Sequence, residues 1–194
     1  MKQFLFAVLI LLSSSLAATT VNPIVNEETK PINVSESAIV WTGKKVTGQH
    51  TGNIMIKSGN LDFDNGALTG GSLTIDMASI TCSDLKPKGA KKLEGHLKSD
   101  DFFGVPNHPT AQLTFTGVNA SKTRGSYEIT ADLTIKEITK SITFTAVVGG
   151  NEATAIIVID RTDFDVRYGS GSFFDDLGDK TIYDDFKLEV KLKY

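Results

Sequence analysis

Residues 127–135 read YEITADLTI. Apolar and polar side chains alternate strictly through this stretch, which is the period-two pattern of a β-strand with one buried face. The same alternation recurs in residues 73–77, 113–115, 142–146 and 188–192. Repeated half-buried strands of this kind are typical of an antiparallel sheet that packs one face on a core. The pattern therefore predicts an all-β domain.

Turn signals divide the alternating runs into separate strands. Asp64-Asn65-Gly66, Arg124-Gly125-Ser126 and Gly149-Gly150-Asn151 predict hairpin turns, and Ser58-Gly59 predicts a bulge inside one long strand. The predicted strands are 37–47, 50–64, 67–80, 110–119, 125–136, 140–149, 151–161 and 184–193. Such a set of antiparallel strands with short turns predicts an eight-stranded lipocalin-like barrel. On periodicity alone, an open sandwich is the alternative.

Residues 83–103 break the alternation. This segment is rich in lysine, and Leu93 and Leu97 lie four residues apart, which places them on one face of a helix. We therefore expect one helical excursion over or near one end of the barrel.

The N-terminus has the pattern of an export signal. Lys2 precedes an apolar run over residues 4–12, and small residues follow at Ser15 and Ala17. The run is too short to span a bilayer as a helix, although a short anchor is the alternative. The sequence predicts a signal peptide over 1–17, a flexible leader over 18–36 and the barrel over 37–194. We expect a periplasmic or secreted protein.

Composition and motifs exclude several classes of function. The net charge of −3 argues against general nucleic-acid binding, which needs a basic surface. His50, His96 and His108 lack the spacing of metal ligands, and no nucleophile elbow or phosphate-binding loop occurs. The sequence therefore predicts no catalytic residue, no metal and no cofactor. Transient membrane contact and a homodimer are both compatible with it.

The single cysteine, Cys82, cannot form a disulfide within the chain. We expect it to be a small buried apolar residue, and a reactive thiol is the alternative.

The apolar phase of the strands predicts the lining of a lumen. An eight-stranded barrel is wide enough either to be filled by side chains or to hold one slender ligand, so a solid core is the alternative. Ala131, Ala146 and Ala155 would leave room in that lumen. The predicted ligand-binding residues are Ile54, Ile56, Phe63, Leu73, Ile75, Met77, Phe115, Tyr127, Ile129, Leu133, Phe144 and Arg161. The same inward phase also contains Leu61, Leu113, Ile135 and Ile142.

Arg161 is the one charged residue in this set. It continues the inward phase of Ile157 and Ile159, which would place its guanidinium near one end of the barrel. There it could grip a phosphate or a quinone oxygen. The alternative is a structural ion pair with a loop acid such as Asp163 or Asp165.

Ordered motifs give the chain a family resemblance. The strongest is LEGHLKSDDFF at 93–103, followed by Pro109-Thr110-Ala111. Supporting stretches, in chain order, are residues 45–48, 50–52, 75–80, 132–136 and 160–164. With these motifs, residues 37–194 resemble the YceI-like family of exported polyisoprenoid- or lipid-binding proteins. Glu137 and Ile138 stand where members commonly have a glycine and a valine, and residues 105–108 lack the phenylalanine that often precedes the proline there.

The resemblance implies a barrel with a helix packed near it, an isoprenoid or fatty-acyl chain inside, and no enzyme activity. On this resemblance, a bound isoprenoid lipid or quinone is the one small molecule that we expect. The leading hypothesis is non-catalytic lipid binding for transport or storage in the periplasm. One alternative is a structural or stress-related exported protein with a solid core. Another is a lipid-modifying enzyme, for which Arg161, Tyr127 and Asp160 are the nominees.

Overall fold

The structure is a computed structural model that describes residues 26–194. The predicted signal peptide and residues 18–25 of the predicted leader lie outside the described residues. The strands are β1 Glu27–Pro31, β2 Ala38–Lys45, β3 Gly48–Asp64, β4 Ala67–Cys82, β5 Thr110–Ala120, β6 Ser126–Ile135, β7 Ile138–Gly149, β8 Glu152–Asp160 and β9 Ile182–Lys193. Helix α1 spans Pro87–Lys98, and short 3-10 turns lie at Val34–Glu36, Arg161–Phe164 and Gly178–Lys180.

The strands form one closed antiparallel sheet. Their order is β1-β3-β2-β9-β8-β7-β6-β5-β4, and β4 pairs back with β3 to close it. β1 and β2 share one edge of β3, because β1 pairs with residues 60–64 of β3 and β2 with residues 48–54. The sheet is therefore an eight-position barrel, which confirms the predicted fold class.

The local signals in the sequence are also confirmed. Each predicted strand ends within two residues of the observed one. Asn65 and Gly66 have φ of 48° and 80°, which is the left-handed pair of a tight hairpin turn. The register between β3 and β4 shifts between Ile56 and Ser58, where the bulge was predicted.

β1 was not expected, because it lies within the predicted leader of 18–36. Its sequence, EETKP, has no apolar alternation, and four of its five residues are exposed. It is held by backbone pairing to β3, from Glu27 opposite Asp64 to Pro31 opposite Asn60. Periodicity reports burial of side chains and does not detect an exposed edge strand.

Helix α1 covers the end of the barrel where β4 finishes. It begins with Pro87 in its first turn, and the Ser99 hydroxyl donates to the carbonyl of His96 at its other end, at 2.7 Å. The backbone N–H of Cys82 donates to the Glu94 carboxylate at 2.8 Å, which ties the helix to the last residue of β4. The predicted helical excursion is thus confirmed. Within residues 26–194, no helix has the length and apolar character required to cross a membrane.

Candidate functional site: an apolar lumen

The barrel encloses a cavity of about 320 Å³. Inward side chains from β2 to β9 line it. At its upper end, where β4 finishes, Leu93 and Leu97 of α1 line it together with Lys44, Lys45 and Asp185. The solid-core alternative required a barrel filled by its own side chains. The cavity shows that the barrel is not filled. Cavities of this size fall at the lower end of the range for small-molecule sites.

Most of the predicted ligand-binding residues line this cavity. They are Ile54, Leu73, Ile75, Met77, Phe115, Ile129, Leu133, Phe144 and Arg161, together with Leu61, Leu113, Ile135 and Ile142 from the same inward phase. The alternation of each strand thus placed these side chains on the correct face. Ile56, Phe63 and Tyr127 do not line the cavity.

Phe63 and Tyr127 instead help to close the lower end of the barrel. The Phe63 ring packs against that of Tyr194, with centroids 5.4 Å apart, and Lys30 Nζ lies 5.1 Å from the Phe63 centroid. The Leu68 N–H donates to the Tyr127 hydroxyl at 3.3 Å. Burial raises the pKa of Tyr194, and the nearby Tyr127 adds to the rise. These side chains therefore form a plug.

Ile56 is buried beside the bulge of β3. A bulge changes the direction of the strand and re-aims the side chains around it, which explains why this isoleucine leaves the lining.

Several lining residues were missed from the sequence. Ile39 and Trp41 of β2 and Leu188 of β9 face the cavity, and so do Phe102 and Phe103, which follow α1. Residues that follow a helix have no period-two pattern, so periodicity could not place them.

Trp41 is fixed by a close approach to Gly52. The indole Nε1–H of Trp41 donates to the Thr81 carbonyl at 2.9 Å, across Gly52. A Cβ on Gly52 would lie 1.8 Å from that carbonyl oxygen, so no other residue fits there. The motif around Gly52 was the signal that could have pointed to Trp41.

Arg161 is 4% exposed, and its guanidinium is directed at the protein's own backbone. Nε donates to the Tyr183 carbonyl at 3.2 Å, Nη1 to the Val166 carbonyl at 2.6 Å and Nη2 to the Ile182 carbonyl at 3.1 Å. Nη2 also pairs with Asp184 Oδ1 at 3.2 Å. Arg161 thus forms the structural ion pair that was the alternative to ligand binding, but its partner is Asp184 of β9 and not Asp163 or Asp165.

Neighbouring charges and burial act in opposite directions on the pKa of Arg161. Burial lowers the pKa of the guanidinium, and the carboxylates of Asp184 and Asp160 favour its charged form. Its hydrogen bonds tie the start of the 161–184 segment to the start of β9. This arrangement gives Arg161 a structural role at the rim of the cavity.

Cys82, Asp84 and His50 form a small polar cluster beside α1. The buried Cys82 thiol donates to Asp84 Oδ1 at 3.1 Å, His50 Nδ1 lies 3.0 Å from Oδ2, and the Thr51 N–H donates to Oδ1 at 3.2 Å. The burial predicted for Cys82 is confirmed. Because the carboxylate lies between the thiol and the imidazole, the imidazole does not accept the thiol proton as it would in a cysteine–histidine nucleophile pair.

The cluster shifts two pKa values in opposite directions. Burial raises the pKa of the Cys82 thiol, and its hydrogen bond to Asp84 adds to the rise. Burial alone would raise the pKa of Asp84, but the hydrogen bonds from Cys82, His50 and the Thr51 N–H together lower it. A thiol with a raised pKa is a poor nucleophile, so this arrangement supports structure.

The nominees for an enzyme are occupied in the same way. Asp160 Oδ1 accepts from the N–H of Thr162 at 2.8 Å, which caps the 3-10 turn that follows β8. Tyr127 and Arg161 hold backbone groups, as described above. In the part of the chain from residue 26 onward, no three His, Cys, Asp or Glu side chains are placed to hold a metal ion.

Comparisons with known proteins agree with this architecture. A family model described as a YceI-like domain matches residues 31–194. The crystal structure of BcnA from Burkholderia cenocepacia superimposes with a TM-score of 0.63 at 20% identity, covering 83% of this chain and 98% of that one.

Two further solved structures share the fold. A polyisoprenoid-binding domain from Saccharophagus degradans, implicated in plant cell wall breakdown, gives a TM-score of 0.60 at 12% identity and covers 87% of this chain and 97% of that one. A mutant YceI protein of Campylobacter jejuni gives 0.54 at 22% identity, covering 69% and 78%. No curated protein matches the chain in sequence.

Proposed function

The chain belongs to the YceI-like domain family, and we propose that it binds one long-chain lipid, an isoprenoid or a molecule of similar shape, inside its barrel. The observation that carries the proposal is a cavity of about 320 Å³ inside the barrel with an almost entirely apolar lining. A related fold is described as a polyisoprenoid-binding domain, which supports the same class of ligand.

The dimensions of the lumen suit an extended hydrocarbon chain. Its lining runs along β4 from Leu68 to Ile80, a path of about 40 Å at ~3.3 Å per residue. Strand tilt shortens this to about 30 Å along the barrel axis. A long, narrow, apolar space favours a slender chain over a compact ring system.

The energetics allow tight binding without any catalytic group. Burying ten methylene groups contributes about 8 kcal/mol before ordering costs, at ~0.8 kcal/mol each. A Kd of 1 μM corresponds to about 8.2 kcal/mol, so a chain of more than ten methylene groups offsets the ordering costs and reaches micromolar binding. Two of the polar side chains that line the cavity, His50 and Arg161, are hydrogen-bonded within the protein. The proposal is for carriage or storage of the lipid, with no chemical step.

We also propose that the protein works after export, in the periplasm or outside the cell. The support is the sequence of residues 1–17, with its apolar run and small residues at Ser15 and Ala17. Intact mass of the protein from fractionated cells tests this. A mature chain beginning near residue 18 is the expected result, and a full-length cytoplasmic protein would contradict it.

The binding proposal is tested by blocking the lumen. Ala111 and Ala155 both line the cavity, so Ala111→Phe and Ala155→Phe place a ring inside it. Gln112→Phe is the matched control, because Gln112 is exposed on the outer face of the same strand as Ala111. Overpacking costs about 1–3 kcal/mol, so thermal unfolding is recorded to select variants that remain folded.

The readout is the lipid itself. We expect native mass spectrometry and solvent extraction to detect one lipid per wild-type and Gln112→Phe molecule, and much less in the lumen-blocked variants. An empty wild-type protein that also fails to bind an added polyprenol and oleic acid would refute the proposal.

A further inference from the structure

The wall of the barrel has a long unpaired seam between β7 and β8. The two strands pair from Gly149 opposite Glu152 only as far as Ala146 opposite Ala155. Beyond that point β7 continues to Ile138 and β8 to Asp160 without a ladder between them. By contrast, β6 and β7 pair along their full length.

A second seam, between β4 and β5, is closed by side chains. Those strands pair over residues 72–76 and 110–114. Below that region the Tyr127 hydroxyl accepts the N–H of Leu68, and the Phe115 ring packs against Gly71. On the outer surface of the barrel beside this seam, the exposed residues are the polar Thr69 and Thr116. This seam therefore offers no apolar path through the wall.

The seam between β7 and β8 has apolar residues inside and outside. On the inside of the barrel, Phe144 of β7 and Ile157 of β8 line the cavity on the two sides of the seam. On the outer surface of β8, Ile156 is 64% exposed and Val158 is 60% exposed. Large aliphatic residues are therefore exposed on the outer side of the unpaired stretch, opposite the apolar lining of the lumen.

Weak polar contacts bridge the upper part of the seam. Lys140 Nζ lies 3.7 Å from Asp163 Oδ1, and Lys136 Nζ donates to the Asp165 carbonyl at 2.9 Å. The Lys140–Asp163 pair is about half exposed on both sides, so it contributes little to stability. Strand edges without a ladder belong to the parts of a protein that can open locally.

The ends of the barrel suit a hydrocarbon chain less well than this wall. The plug of Phe63, Tyr127 and Tyr194 lies at the lower end, and at the upper end the charged side chains of Lys44 and Asp185 line the cavity beside α1. A chain that entered endwise would have to displace the plug or pass these charged groups, which are unfavourable neighbours for hydrocarbon.

We infer that the hydrocarbon chain of the ligand enters and leaves the lumen sideways, through the seam between β7 and β8. The inference rests on the proposed function, since it concerns the route of the ligand that the lumen binds. The two lysine contacts then act as a weak latch across the seam.

A covalent bridge across the seam tests the inference. Thr143 and Val158 lie on the outer faces of β7 and β8 and would face each other if the register of the paired part continued. In a Cys82→Ser background, Thr143→Cys and Val158→Cys are joined with a short bis-maleimide. The matched control joins Glu128→Cys and Thr145→Cys, which are exposed and directly opposite on the paired strands β6 and β7.

Stopped-flow fluorescence of cis-parinaric acid gives the rates of uptake and release. We expect the seam bridge to slow both rates about tenfold, because a closed gate limits exchange, and the control bridge to leave them unchanged. Asp163→Asn, which weakens the latch without a bridge, should accelerate both rates while the protein stays folded.

The outcomes separate this inference from the proposed function. If the bridged protein exchanges the probe at the wild-type rate, the sideways route is overturned and the binding function stands. If Asp163→Asn leaves the rates unchanged and the seam bridge slows them no more than the control, the same conclusion holds. If the unbridged protein binds neither cis-parinaric acid nor an added polyprenol, the proposed function is overturned, and this inference with it.

Discussion

Replacing Arg161 by methionine tests whether this side chain stabilises the fold or binds the ligand. Methionine keeps much of the aliphatic stem but removes the guanidinium. The change leaves the carbonyl groups of Val166, Ile182 and Tyr183 without their donor, and the Asp184 carboxylate without its cation.

The expected loss of stability is large. Breaking a buried ion pair by removing one partner costs about 3–5 kcal/mol, because the remaining charge stays buried and uncompensated. Asp184 is 19% exposed and Arg161 only 4%, so solvent screening compensates little. For a domain of this size, that loss lowers the melting temperature by about 6–20 °C.

Calorimetry or circular dichroism of wild type and variant measures the effect. Arg167→Met is the matched control, because Arg167 pairs with Asp165 at 2.9 Å with both side chains 53% exposed. A surface pair of that kind contributes about 1 kcal/mol at most. If Arg161→Met melted within two or three degrees of wild type and lost affinity for an anionic lipid, the structural role would be refuted and the ligand-gripping role restored.

Three further predictions concern the β6–β7 turn and the Cys82 cluster. Glu137 has φ of 64°, so Glu137→Gly should raise the free energy of unfolding by about 1 kcal/mol and Glu137→Ala should not; equal urea midpoints for the two variants would contradict the strain argument. Cys82 is buried with a raised pKa, so its thiol should react slowly with Ellman's reagent at pH 8 until the protein is denatured. Rapid labelling of the native protein would show that the thiol is accessible. Asp84→Asn should lower stability at pH 7, and the deficit should shrink in acid. Because the folded pKa of Asp84 is lowered, its contribution is complete above the unfolded value of about 3.9 and disappears as the pH falls through the folded value. Urea unfolding at several pH values checks this, and a deficit that did not change with pH would exclude the carboxylate charge as its cause.

The sequence was sufficient for the strands because their signal is local. In residues 127–135 each side chain shows by its own polarity which face of the sheet it occupies, and burial follows that alternation through Ile129, Ala131, Leu133 and Ile135. The helix was predictable because its signal is also local: Leu93 and Leu97 lie four residues apart and therefore on one helical face.

The candidate site was predictable to the extent that it follows from strand phase. The alternation of a strand shows which face a side chain occupies, but not whether it lies in the middle of the barrel or at one end. For this reason the sequence predicted Phe63 and Tyr127 in the lumen, whereas they lie in the plug at the lower end. Arg161 was placed correctly at the rim, but its partner Asp184 comes from the far side of a loop, and sequence proximity pointed instead to Asp163 and Asp165.

The sequence by itself determined an all-β barrel with an apolar inner face, because alternation and turn chemistry act between neighbouring residues. Only the tertiary structure decided that the inner face encloses a cavity, that one edge of β3 carries two strands, and that β7 and β8 separate above Ala146 and Ala155. These features depend on how many side chains meet across the barrel and on where each ladder stops. Both quantities arise from contacts between residues that are distant in the chain, which no local pattern records.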